Sequence, residues 1–130
     1  MFSFKKTERL SSKKDIESLF KENKSIVVYP FKIAYRKNDF HETGFPVRVL
    51  ISVPKRNFKK AVDRNFLKRR IRESYRLFKG NLYDSLNESN LKIDLQINFI
   101  GKNKEEFSFI KNKLDEGMAK LISIIKKTNS

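Results

Sequence analysis

Between Lys60 and Arg76 the chain gathers arginine, lysine and asparagine at a spacing that suits one chemistry, the binding of a polyanion. At about 100° per residue, Arg64, Asn65, Lys68, Arg69, Arg72 and Arg76 share an arc of roughly 140° on a helix. Leu67, Ile71, Tyr75 and Phe78 fall on a separate arc. Cations packed side by side repel one another unless an anion lies across them, and a nucleic-acid backbone is the simplest such anion. A merely solvated face would carry acids one turn away. Asp63 and Glu73 are the only acids between Arg56 and Lys79. Asn65 adds directional donors and an acceptor, which suits sugar, base or hydrated metal. Just before the helix, Lys55, Arg56, Lys59 and Lys60 form either a solubilising loop or an extension of the same surface.

Residues for self-sufficient catalysis are sparse. His41 is the sole histidine, in a loop, and reads as a surface residue. Acid–base ribonuclease chemistry needs a partner for it. Asp15, Glu17 and Asp94 suggest no two-metal cluster. Glu105-Glu106 and Asp115-Glu116 read as solvated helix faces. The four glycines make no phosphate-cradling pattern. Without cysteine there are no disulfides, no thiolate chemistry and no Cys-based zinc site.

Composition agrees with a polyanion partner. The formal net charge is +15 over 130 residues. Lys55 to Lys79 alone holds 11 basic residues against 2 acidic ones. Charge needed only for solubility would not concentrate so. Twelve Phe and four Tyr serve a core, and a surplus can stack on bases. The length suits one domain spanning residues 1–130. The first residues show no signal-peptide pattern, and no apolar run approaches the ~18 residues of a membrane span. A soluble, cytoplasmic protein with no membrane association is expected.

The elements that position these residues follow from periodicity. Ser12 to Asp15 resembles a capped helix start, and Ile16, Leu19 and Phe20 give an apolar stripe to about Glu22. Ile16 and Phe20 serve the core or a hydrophobic wall on which bases stack. Residues 25–29 are strand-like up to Pro30, and Phe31, Ile33 and Tyr35 alternate with Lys32, Ala34 and Arg36. Residues 37–45 form a polar turn region. Val47, Val49, Ile51 and Val53 alternate with Arg48, Leu50 and Ser52 in the clearest strand, ended by Pro54. The basic helix is expected from about Ala61 to Phe78, with Gly80 as its stop and residues 81–90 ambiguous. Leu91 to Ile100 reads as a strand, and Ser108 as the cap of a last helix to about Lys127. A sheet covered by helices results.

Ala61-Val62-x-Arg64-Asn65-x-x-Lys68-Arg69-x-x-Arg72-Glu73 resembles the signature of the bacterial ribonuclease P protein subunit. Arg48 to Arg56 resembles the strand and basic loop leading into that motif, and Arg9-Leu10 with Asp15 to Phe20 resembles the family's first helix. The resemblance implies an α+β two-layer sandwich: a sheet of about four strands, three main helices and a left-handed crossover through the basic helix. It implies a catalytic RNA partner that uses Mg2+ to remove the 5′ leader of precursor tRNA, with the metal bound mainly by that RNA and no protein partner required. It places Arg64, Asn65, Lys68, Arg69 and Arg72 on the catalytic RNA, with Asn65 reaching hydrated Mg2+, and Phe20 in a leader cleft; Arg76 joins the RNA-binding candidates from its place on the same helical arc. Ile16, Arg48 and Tyr35 are further cleft candidates. Phe66 departs from the pattern, standing where the family often has a third basic residue.

Three readings compete with this one. A non-catalytic ribosomal-type protein would bind structured RNA without processing it. A DNA-binding protein would put the basic helix in a major groove, but a strand and a loop precede that helix, not a helix-turn-helix partner. A self-sufficient nuclease lacks the residues named above.

Overall fold

A computed structural model of the chain describes residues 8–38 and 44–128. His41, and most of the polar turn expected around it, lie outside the described residues. In chain order the elements are α1 (Lys13–Lys21), β1 (Lys24–Val28), β2 (Phe31–Lys37), β3 (Val47–Ser52), α2 (Ala61–Glu88), β4 (Ile93–Phe99) and α3 (Phe107–Thr128). The four strands form one sheet in the order β1-β2-β4-β3. β1 and β2 are an antiparallel hairpin turned at Tyr29 and Pro30. β2 pairs antiparallel with β4, and β3 pairs parallel with β4. A parallel pair needs a crossover connection, and α2 supplies it. The architecture is α+β, three helices on a mixed four-stranded sheet.

Strand alternation decides which face receives which helix. Phe31 and Ile33 of β2, Val47 and Val49 of β3, and Ile93, Leu95, Ile97 and Phe99 of β4 point to one side and are buried. Leu67, Ile71, Tyr75, Leu82 and Leu86 of α2 meet them, as do Ile110, Leu114, Met118, Leu121 and Ile125 of α3. Phe31 and Phe99 pack edge to face at 5.6 Å. Gly117 lets α3 lie close on the sheet, because a Cβ there would stand 2.6 Å from Ile33 Cδ1. The opposite face carries Ala34, Arg36, Arg48, Leu50, Ser52, Asp94, Gln96 and Asn98, and α1 lies across part of it.

Two helix boundaries differ from the sequence-based expectation. α2 does not stop at Gly80; it runs to Glu88. Its apolar stripe continues through Leu82 and Leu86, both fully buried, and that burial outweighs the roughly 1 kcal/mol propensity cost of one interior glycine. The true stop is Asn90, at φ 52°. Leu91 N–H donates to the Leu86 carbonyl at 2.9 Å and Asn90 N–H to the Asn87 carbonyl at 3.1 Å, the paired bonds of a left-handed helix terminus. α3 begins at Phe107, so Ser108 lies within its first turn and is not its cap. The first helix is as expected, with Ser12 Oγ accepting from Asp15 N–H at 3.4 Å.

The segment ahead of α1 covers an edge. Leu10 N–H donates to the Val49 carbonyl at 2.8 Å, and Arg9 bridges Val49 in parallel. This occupies the outer edge of β3. Glu8 is buried beneath it, accepting from Lys79 Nζ at 2.6 Å and Tyr83 Oη at 2.5 Å.

Candidate nucleic-acid interface

The basic surface starts in the loop after β3. Phe58, in the middle of that loop, is buried against Phe99 with ring centroids 6.0 Å apart. One aromatic anchor thus holds a loop whose Lys55, Arg56, Lys59 and Lys60 all face solvent. Arg64 secures the loop further, its guanidinium donating to the carbonyls of Phe58 at 2.8 Å and Lys59 at 2.9 Å. Arg64 is half-buried, so it shapes the interface as well as charging it. The α2 N-terminus has no side-chain cap, which adds its positive dipole end to the same surface.

Along α2, Asn65 and Arg69 are exposed while Lys68 and Arg72 are half-buried. Among the described residues, no carboxylate forms an ion pair with Lys68, Arg69 or Arg72. Arg72 holds its proton less tightly than an ordinary arginine, first because burial disfavours its charge, then because Arg9 and Arg69 stand close. The second of these causes reflects like charges crowded together. Arg76 differs from its neighbours, pairing with Glu73 through two bonds of 3.0 and 2.5 Å. The expected cation face is therefore strongest over its first three turns.

The second region lies between α1 and the sheet. Asp94, on β4, is fully buried. Arg48 grips it with two bonds of 3.1 and 3.2 Å and reaches Asp15 of α1 at 3.0 Å. Arg36 stands 3.6 Å from Asp94 and 3.8 Å from Asp15, and Asn38 donates to Asp94 at 2.8 Å. Arg48 is on the expected face, but it is engaged in fastening α1 to the sheet. Tyr35 is not in this cleft. Its pairing with Leu95 puts it on the opposite face, half-buried in a depression with Leu91, Ile93 and Ile125. Phe20 is 56% exposed and Ile16 half-buried on α1, whose inward residue is Leu19.

Beyond α1 the same sheet face continues as Leu50, Ser52, Gln96 and Asn98. Gln96 donates to Ser52 Oγ at 3.2 Å. Asn98 Oδ1 is buried with no hydrogen-bond partner among the described residues. These amides were not among the expected site residues. Their signal was present in β4, where Asp94, Gln96 and Asn98 alternate with the core, but only strand pairing aligns them with Arg48, Leu50 and Ser52. Arg9, Ser11, Leu50, Lys68 and Arg72 border one shallow cavity of about 210 Å³, so helix face and sheet face adjoin. Among the described residues no cluster of three or more His, Asp or Glu side chains stands ready for a metal ion, and no helix is long and apolar enough to cross a membrane.

The family model of Ribonuclease P matches residues 4–123. A ribonuclease P protein component of Porphyromonas gingivalis is 32% identical over 120 residues, covering 92% of this chain and 87% of that protein. The chain belongs to the ribonuclease P protein family. A ribonuclease P protein component of Thermotoga maritima is 41% identical over 80 residues, 60% of this chain and 62% of its own. The solved structure of the RNase P protein from Thermotoga maritima matches with a TM-score of 0.68 at 28% identity, covering 87% of this chain and 96% of that one. The RNase P protein of Staphylococcus aureus, at 22% identity over 88% of this chain and 94% of that one, shares the fold with a TM-score of 0.68. Ribonuclease P membership makes the chain an RNA-binding, tRNA-processing protein. It also sets aside the ribosomal-type and DNA-binding readings.

Proposed function

We propose that this chain, as the protein subunit of a ribonuclease P, seats a catalytic RNA on the α2 face and guides the 5′ leader of precursor tRNA along the sheet. The observation that carries the proposal is the cation face of Lys68, Arg69 and Arg72, which has no carboxylate partner among the described residues and adjoins the sheet face at Leu50. Catalytic RNA and precursor are both polyanions, and their mutual repulsion opposes assembly. A +15 protein between them lowers that repulsion.

The division of labour follows from the side chains. Lys55, Arg56, Lys59 and Lys60 meet phosphates from a loop that Phe58 and Arg64 hold rigid. Lys68, Arg69 and Arg72 meet further phosphates, and Asn65 makes a directional contact to sugar, base or hydrated Mg2+. Phe20 and Ile16 form an apolar wall for the leader, while Gln96 and Asn98 present neutral amides on the floor. In this reading the phosphodiester is hydrolysed by the RNA and its Mg2+ ions. The protein contributes position and charge, in the cytoplasm, without a further protein partner.

The test is cleavage of a 5′-extended precursor tRNA at low Mg2+ by a ribonuclease P RNA, with and without this protein, beside the protein alone. Accurate 5′ maturation with both components, and none with protein alone, is expected. Cleavage by the protein alone would overturn the division of labour.

A further inference from the structure

Phe66 lies in the middle of the basic motif and outside the core cluster, with 40% of its surface exposed. Val62, one turn earlier, is 70% exposed, so the two make an apolar strip beside Asn65 and Arg69. The strip is not left to itself. The Arg70 guanidinium lies over the Phe66 ring, 4.0 Å from its centroid, and is held there by donating to the Glu105 carbonyl at 3.0 Å. Lys104 Nζ stands 5.5 Å from the same centroid and pairs with Asp63 at 3.2 Å. A guanidinium held over a half-exposed ring makes an aromatic platform beside the cation face of α2.

We infer that Phe66 stacks against an unpaired base of the partner RNA, backed by Arg70 and flanked by a phosphate contact from Arg69. The inference rests on the proposed RNA-binding role and adds to it a base-contacting position. Charge complementarity selects the occupant. An apolar protein surface would have to bury Arg69, which has no ion-pair partner among the described residues, and that is costly. A nucleotide brings an aromatic face for the ring and phosphate for the cations together. An unpaired base is specified because bases inside an A-form helix offer no open face. The contact would tolerate any base, since stacking reads the ring and not its edge.

The chain has no Trp, so Phe66→Trp provides a single indole fluorophore at the platform. Titration with ribonuclease P RNA is expected to quench its emission about two-fold or more by stacking, while saturating inorganic polyphosphate leaves it bright. Phe66→Leu is expected to weaken RNA binding about five-fold or more without changing the salt dependence, and Phe66→Tyr to restore it. Undiminished emission in the saturated RNA complex, or wild-type affinity in Phe66→Leu, would overturn the inference. If Lys68→Ala still weakens binding in that case, only the platform has failed. If Lys68→Ala also binds RNA as the wild type does, the RNA-binding role of α2 has failed with it.

Discussion

Arg36 and Arg48 meet Asp15 and Asp94 beneath α1, whereas Arg72 on α2 meets the like charges of Arg69 and Arg9. Both groups are cationic. What separates them is the position of carboxylates. Two acids neutralise the first group and turn it into a clasp between α1 and the sheet. Among the described residues no acid neutralises Lys68, Arg69 or Arg72, so their charge is available to a partner. Lys79 shows the clasp pattern again, within α2 itself, because Glu8 reaches it under the N-terminal segment. Whether a basic residue in this protein is tied into the fold or left available thus follows from the acceptors within reach, not from its own type.

The largest effect expected from breaking this contrast is on the clasp. Asp94→Ala leaves Arg48 and Arg36 without their buried partner and should cost about 3–5 kcal/mol of folding stability in urea denaturation. A deficit under about 1 kcal/mol would mean the clasp is not structural. Arg64→Ala comes next, because it stands between the two classes. Without its two hydrogen bonds to carbonyls it should be about 1–2 kcal/mol less stable, and it should also bind RNA more weakly. Lys68→Ala, by contrast, should change stability by no more than about 0.5 kcal/mol while lowering RNA affinity. An equally large destabilisation in Lys68→Ala would erase the distinction.

The smallest effect at neutral pH concerns the Glu8 site. Burial raises the pKa of both Tyr75 and Tyr83 above the ordinary phenol value, with Tyr75 opposing Tyr83 ionisation as well. Phenols neutral in the folded state but ionised in the unfolded chain contribute stability that is complete below pH ~10 and is lost as pH rises beyond it. Unfolding free energy measured from pH 8 to 11 should therefore fall at the alkaline end, less steeply in Tyr83→Phe. A flat profile would contradict the burial of this network.

Much of this contrast is legible in the sequence, and the missing part has a physical reason. Helical spacing separates Arg64 to Arg76 from Leu67, Ile71 and Tyr75, because one helix face is local information. Strand alternation places Arg48 opposite Val47 and Val49 for the same reason. It does not show that Asp94, 46 residues on, stands beside Arg48, since that depends on β3 pairing with β4. Alternation also gives two faces without saying which one α1 covers, so it does not keep Tyr35 out of the cleft. The extension of α2 past Gly80 is hidden because the burial of Leu82 and Leu86 is tertiary, and because Asn90 takes the role expected of a glycine. Glu8 and Lys79 look like surface charges until the fold brings them together.

The most direct test is the salt dependence of binding to ribonuclease P RNA, measured for the wild type, for Lys68→Ala/Arg69→Ala and for Glu73→Gln. Removing one phosphate-binding cation should lower the slope of log affinity against log salt by about 0.7–0.9, so the double variant should show a slope lower by about 1.4–1.8. Glu73→Gln should leave the fold in place and raise the slope by at most about 0.7–0.9, because it releases Arg76 from its acid. An unchanged slope in the double variant, with affinity intact, would contradict the claim that the uncompensated face of α2 is where the RNA binds.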